Sequence, residues 1–324
     1  MFGKRPDGKL VKHLGGLYFA MPIIMKTRND SMNMLTFDVE LEPIKKFIKE
    51  EQERTGRVYS YFDILIAAIV RTIALRPDLN RFIVNQRIYQ RNHIAFSLAL
   101  QKSLKRGVAD DETTIKAKFD GTENLPEIID RVEKLIMEAK KEKADTQTDD
   151  LVNKVMRGPH WFRKFIVNFL MWLDKHGMLP MSVLDALPFH TTFFITDMKS
   201  IKLPPLYHHV YNFGTTGLFF STSKEEKVLY KDQITGEIKE KDIMRVSFVS
   251  DERFCDGYYF SVSCRMLKRI LNNPKVLLDP IKKEDLPLTF DEEWERNHKK
   301  ELEAKKAAKL AAKEAKKNKN KKAE

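Results

Sequence analysis

The chain has 324 residues, 42% of them hydrophobic, enough to bury one large core with appendages and too few for two equal domains. Its formal charge of +12 sits largely at one end: residues 299–324 hold eleven Lys and four Glu, a net +7, which leaves +5 for everything before and argues against a body built to bind nucleic acid. Two cysteines, Cys255 and Cys264, exclude a disulfide framework, and with no His or Cys at ligand spacing around them no metal site is expected; a reducing, cytoplasmic setting fits.

The lead, residues 1–16, is polar and lacks the apolar centre of a secretory signal. Leu17 to Met25 is apolar but broken by Pro22, and Met34 to Leu41 alternates as a strand does. Pro43 opens a helix to about Thr55 with Ile44, Phe47 and Ile48 on one face. Ser60 and Asp63 are spaced as an N-cap pair for a helix from Tyr61 to Leu75, apolar almost all round and stopped before Pro77. Phe82–Val84 and Ile88–Tyr89 flank a turn near Asn85 and Gln86. Ile94, Phe96, Leu98 and Leu100 then mark a strand with one buried face. A helix from about Glu127 to Lys143 carries an apolar stripe from Ile128 to Ala139, and residues 144–150 read as a linker.

Residues 161–173 form a helix with aromatic and aliphatic side chains on both sides, so cover from the body or from a neighbouring subunit is expected. Arg157, Arg163, Lys164 and Lys175 flank it, and the alternative is a helix lying on a membrane surface; it is too short to span. Strands follow at 192–196, 217–221, 228–230, 237–239 and 243–249, with a turn at 232–236. After Gly257 comes a helix to about Leu271. From about Asp291 the chain is a Glu/Lys/Ala-rich helix with no apolar stripe, expected to be solvated. Trp294 is its one aromatic residue, so base stacking and specific nucleic-acid binding are not expected.

Ser250 to Gly257, SDERFCDG, resembles the DHRxxDG signature of the acyltransferase component of 2-oxoacid dehydrogenase complexes and the HxxxDG of chloramphenicol acetyltransferase. Tyr61 to Leu100 resembles that family's helix, P-x-L-N, hairpin and strand in the same order. Thr191 to Ser200 resembles its TFTISNLG strand, and Asp251 to Pro274 its motif with the following helix. The likeness spans roughly residues 20–280; it is looser over Met21 to Asn33 and finds no clear counterpart for Arg157 to Pro188. It implies an N-terminal lead (1–20), an acyltransferase-like domain (21–285) with an aromatic helical insertion at about 157–188, and a basic tail (286–324). It also implies a chloramphenicol-acetyltransferase-like two-layer α/β sandwich, a mixed β-sheet with packed helices, assembled as a homotrimer whose sites lie in channels between subunits. Coenzyme A or an acyl-CoA would be the substrate. No lipoyl domain precedes the core, so a stand-alone relative with no lipoyl group on this chain is expected.

In that family the motif histidine is the general base, and here Glu252 stands in its place. An exposed carboxylate, titrating near ~4.3, is a weak base for a thiol; burial would raise it and the adjacent Arg253 would lower it. Thr192 matches the hydroxyl that donates to the oxyanion of the tetrahedral intermediate. Asp256 matches an aspartate that pairs with an arginine from the N-terminal region, here Arg28 or Arg5, and Gly257 matches the glycine of the tight passage into the helix. His208 and His209, in a loop beside the expected acyl pocket, are substitute bases, with local hydrogen bonding as the plainer reading; His190 has a weaker claim. Two functions follow: acyl transfer from coenzyme A to a small acceptor, or non-catalytic binding of an acyl-CoA or a partner on the same fold.

Overall fold

The computed structural model describes residues 4–101, 112–141, 157–201 and 203–320. In chain order the strands are β1 (Gly8–Leu10), β2 (Met32–Glu40), β3 (Arg81–Val84), β4 (Arg87–Arg91), β5 (Ile94–Gln101), β6 (Glu112–Phe119), β7 (Phe193–Asp197), β8 (Leu218–Lys231) and β9 (Ile238–Asp251). The helices are α1 (Gly16–Ile24), α2 (Glu42–Thr55), α3 (Tyr61–Leu75), α4 (Leu125–Lys141), α5 (His160–Lys175), α6 (Met181–Ala186), α7 (Gly257–Asn272) and α8 (Phe290–Asn320). Six strands pair in the order β2-β9-β8-β7-β5-β6, parallel at β5·β7 and β7·β8 and antiparallel elsewhere; β1, β4 and β3 form a separate small sheet. This is the two-layer α/β sandwich, a mixed sheet with helices packed on it.

The main core lies between α3, α4 and α7 and the face of the large sheet that carries Phe96, Phe193, Phe220 and Phe248. Period-two alternation puts these rings on one face, where Phe96 and Phe193 approach to 5.3 Å and Phe220 and Phe248 to 5.4 Å. The helix α3 is buried from Ile64 to Ala74, and its start is fixed locally: the Asp63 amide donates to Ser60 Oγ at 3.1 Å and the Ser60 amide to Asp63 Oδ2 at 2.8 Å. Phe194 and Phe219 stack on the opposite face at 5.3 Å, covered by Val210 from a loop.

Several elements differ from the sequence expectation. The apolar stretch expected to be broken by Pro22 is the helix α1, Gly16–Ile24, with Pro22 inside it. The four short segments between 217 and 249 fuse into two 14-residue strands forming one long hairpin, irregular between Thr222 and Glu225. Its distal half leaves the core, so both faces are largely exposed, Leu229 and Ile238 included, and the buried-face pattern vanishes there. The linker at 144–150 lies outside the described residues. The helix α5 is not covered on every side: Phe162, Ile166, Leu170 and Leu173 are half-buried, while Trp161 is 70% and Phe165 60% exposed. A stripe about 100° wide suffices to seat a helix, and α5 seats only that much. Through residue 308, α8 is exposed, as its composition predicts, and among the described residues no helix is long and apolar enough to cross a membrane.

A buried charge cluster ties the N-terminal segment and α5 to the body. Arg5 bonds Asp7 at 2.9 Å and Asp174 at 2.8 Å, Asp7 lies 3.7 Å from Arg91, and His190 Nε2 lies 3.1 Å from Asp174 Oδ2. Burial pushes the His190 ring below its ordinary value, and burial, with Arg91 and two lysines nearby, pushes His93 down to about 4. Burial opposes ionisation of Asp174, but His190 and Arg5 outweigh it and hold the carboxyl at about 2. The unfolded chain therefore takes up protons on the two rings before the folded chain does. Stability from keeping them neutral is complete above about pH 6.5 and drains as the pH falls toward about 4, and the Asp174 share goes only below that, toward about pH 2. Urea midpoints measured from pH 7 to pH 4 are expected to fall steadily, and His93→Gln should flatten the slope.

Candidate active site

The motif occupies the junction between β9 and α7. Asp251 ends the strand, Glu252 to Phe254 form a single 3₁₀ turn, and Asp256 caps the helix by accepting from the Tyr259 amide at 2.8 Å. Asp251 is the hub. It is 1% exposed and accepts from Arg253 Nε at 2.8 Å, Arg253 Nη2 at 2.7 Å and Ser31 Oγ at 3.2 Å, with Arg28 Nε 3.8 Å away. Arg28 turns its remaining donors to carbonyls, those of Tyr211 and Asn212 at 3.1 Å and that of Ile83 at 2.9 Å. Burial pushes its pKa down to about 10. Sequence reasoning did not single out Asp251, although its i, i+2 spacing to Arg253 was readable.

Arg28 is therefore the partner of Asp251, not of Asp256, and Arg5 belongs to Asp7 and Asp174. Asp256 faces outward as a helix cap and takes the Tyr18 hydroxyl, which together with the Tyr259 amide holds its carboxyl below the usual range. Gly257 is not required by space, since a Cβ there would meet nothing within 4 Å; the cap, not a missing side chain, makes the turn. Gly214 is the glycine the site needs. It bends at φ +85°, and a Cβ would fall 2.3 Å from the Phe189 carbonyl oxygen.

Glu252 is half-buried, and its Oε2 accepts from Asn33 Nδ2 at 2.6 Å. Neighbouring Cys255 is buried, which pushes its thiol well above the ordinary range and keeps it protonated. Thr192 lies at the same end of the sheet: its carbonyl accepts from Gly217, whose carbonyl accepts from Asp251. Two strand spacings, roughly 10 Å, separate its backbone from the motif. Its hydroxyl, however, points inward, donating to Asn80 Oδ1 at 2.7 Å and accepting from the Ala95 amide at 3.1 Å.

On the opposite face of the sheet, Thr196, Ser221, Ser247 and Thr36 are direct neighbours across β7, β8, β9 and β2, a row of four hydroxyls. Thr36 Oγ1 is 2.8 Å from Ser247 Oγ and 2.6 Å from the Tyr207 hydroxyl, and Ser221 Oγ accepts from the Leu206 amide at 3.0 Å. Among the described residues, Thr196 has only the Met198 sulfur, a weak acceptor, at 3.8 Å. Strand register aligns this row, which no local pattern in the sequence shows. His208 lies over the same face, its ring stacked on Phe219 at 4.0 Å and its Nδ1 2.9 Å from the His209 carbonyl oxygen; His209 is exposed. That loop runs on to the Tyr211 and Asn212 carbonyls held by Arg28, which joins it to the motif.

A cleft of about 380 Å³ opens beside the motif, lined by Arg28, Arg253, the Asn85–Gln86 turn, Lys26 and Lys175. Both turn residues adopt positive φ without being glycine, at 50° and 58°. The arginines are engaged with Asp251 and with carbonyls. Lys26 and Lys175 stand exposed at the rim, so the cleft presents positive charge to an entering ligand.

No protein-family model matches the chain, and no curated protein matches it. Solved structures do. The chain is similar to the dihydrolipoamide acetyltransferase of Azotobacter vinelandii (11% identity, 83% of this chain and 94% of that one, TM-score 0.52) and to the cubic core of a pyruvate dehydrogenase multienzyme complex (10%, 83% and 94%, TM-score 0.51). A chloramphenicol acetyltransferase aligns over 82% of this chain and 99% of its own at 11% identity and a TM-score of 0.48. The protein thus has the fold of the 2-oxoacid dehydrogenase acyltransferases. At such identities the likeness establishes the fold alone, and the chemistry rests on the residues.

The two threonines make a paired prediction. Thr192→Val should cost about 1–3 kcal/mol of stability, because Asn80 and the Ala95 amide lose a buried partner. Thr196→Val should leave the stability read from urea unfolding within about 0.5 kcal/mol of wild type. Equal destabilisation by the two would contradict the assignment of their hydroxyls.

Proposed function

We propose that the protein is a coenzyme A-dependent acyltransferase that moves an acyl group from a thioester to a small acceptor, with Glu252 as its acid-base residue. The observation that carries this reading is the motif turn: Asp251 holds two buried arginines, and the next residue, half-buried Glu252, has among the described residues one side-chain tether, Asn33. The similar Azotobacter enzyme has a serine, a histidine and an asparagine examined for their part in its mechanism, the last two four residues apart. Glu252 and Asp256 have the same separation.

In the proposed reaction the acceptor's O–H or S–H proton passes to the Glu252 carboxylate as the acceptor attacks the thioester carbonyl. The tetrahedral intermediate collapses with cleavage of the carbon–sulfur bond, and the coenzyme A thiolate recovers the proton from Glu252. The oxyanion needs a donor. Thr192 has its proton committed to Asn80, so we assign that role to Thr196, whose hydroxyl meets, among the described residues, a sulfur acceptor. Ser247, its near neighbour in the row, stands five residues before Glu252 on an extended strand, roughly 16 Å away. One chain does not bring base and donor together, so the reading includes a homotrimer in which adjacent copies complete the site, with the cationic cleft favouring the anionic coenzyme.

The second reading, an acyl-CoA-binding protein without turnover, is favoured by the inward hydroxyl of Thr192 and by Glu in the place of the family's histidine. Incubation with a panel of acyl-CoAs, with and without candidate acceptors, separates them: acceptor-dependent thiol release supports transfer. Saturable binding with no release supports the second reading, and neither binding nor release removes both.

A further inference from the structure

The solvent side of α5 carries Trp161, Phe165, Phe169 and Trp172 in one line, with steps of four, four and three residues. They are 70, 60, 47 and 46% exposed, and successive rings from Phe165 onward stack at 6.1 and 6.2 Å. On the adjacent strip of the same helix lie Lys164, Asn168 and Lys175, all exposed. The inner side holds α5 to the body through its half-buried aliphatic residues and the Asp174–Arg5 pair, so the aromatic line is not needed to seat the helix. Continuous apolar surface of this kind on a folded protein marks a contact.

Two neighbouring features extend the face. Across the cleft from the end of α5, α1 leaves Leu17, Ile23 and Ile24 exposed at 73, 59 and 69%, next to Lys26 on the rim. The N-terminal segment that anchors α5 through Arg5 also anchors α8: the Lys12 and His13 amides donate to Asp291, and the His13 ring stacks on Trp294 at 3.6 Å. The net +7 of residues 299–324 follows in sequence from this anchored start of α8.

We propose that this face is a peripheral docking surface for an anionic lipid bilayer. The aromatic rings of α5 enter the headgroup boundary, where Trp and Phe are favoured, while Lys164, Lys175, Lys26 and the tail lysines meet lipid phosphates. Charge selects this occupant over a second copy of the chain. A two-fold contact would bring the lysines of both copies into one interface, and the trimer of the proposed function does not require this face, whereas an anionic surface supplies the opposite sign.

The test is sedimentation of the full-length protein with vesicles of phosphatidylcholine alone and of phosphatidylcholine mixed with phosphatidylglycerol. Binding to the mixture should be at least about tenfold tighter, should weaken with salt and should shift tryptophan emission to the blue. The combined Trp161→Ser, Phe165→Ser, Phe169→Ser and Trp172→Ser variant keeps every seating residue, and should lose about tenfold or more in binding with an unchanged circular dichroism spectrum. Lys164→Glu with Lys175→Glu, two exposed positions, should lose the preference for the anionic vesicles and carries the test if the aromatic variant misfolds. The proposal is overturned by no binding to the mixture at low salt, or by undiminished binding of the variants. Light scattering that finds a wild-type oligomer absent from the aromatic variant would overturn it too, and would assign the face to a second copy.

Discussion

Asp251→Ala is expected to remove about 3–5 kcal/mol of folding stability, the largest loss from any single change in the motif. Asp251 is 1% exposed, and the guanidiniums it serves, Arg253 and Arg28, are 3% and 5% exposed. Without it Arg253 loses both strong bonds, at 2.8 and 2.7 Å, and two cations remain in the interior without the carboxylate they share. Asp251→Asn keeps the volume but not the charge, so it should recover only a minor part. Urea unfolding followed by circular dichroism reads the difference; a loss below about 1 kcal/mol in the alanine variant would show that the arginines find other partners or water.

Glu252→Gln is expected to lower acyl transfer by at least about 10²-fold while leaving fold and acyl-CoA binding intact, because the amide keeps the shape and the Asn33 contact but cannot take a proton. The reading separates base from scaffold, since a merely structural role would alter stability and spare turnover. If wild type has no turnover, Glu252→His asks whether the clamped turn still supports thioester chemistry once imidazole is returned to it. Equal turnover in wild type and Glu252→Gln would remove the base assignment and turn attention to the loop of His208 and His209.

The fold was legible where its determinants are local or matched a family pattern. The start of α3 follows from Ser60 and Asp63, its end from Pro77, and the order of helix, hairpin, strand and motif from the quoted segments. The site was legible only in part, because its bonds join residues far apart in the chain. Arg28 was a candidate partner for Asp256, yet 223 residues separate it from Asp251, the carboxylate it faces, and no local rule chooses between two aspartates five positions apart. The inward turn of the Thr192 hydroxyl depends on Asn80, brought in from another element. Apolar residues all round α5 suggested full cover, but counting residues on a helix does not reveal which side the body occupies.

Arg28 is bound at once to the strand-end carboxylate, to two carbonyls of the segment that follows His209, and to the Ile83 carbonyl at the base of the Asn85–Gln86 turn. Three stretches of chain thus share one cation. Substitutions at Arg28 and Asp251 should act as a single thermodynamic unit, the second change of the pair costing much less than it does alone. A variant library that scores these positions one at a time will overestimate the damage of combining them, and pairs that remove the cation and its carboxylate together are where tolerated change in this site should be sought.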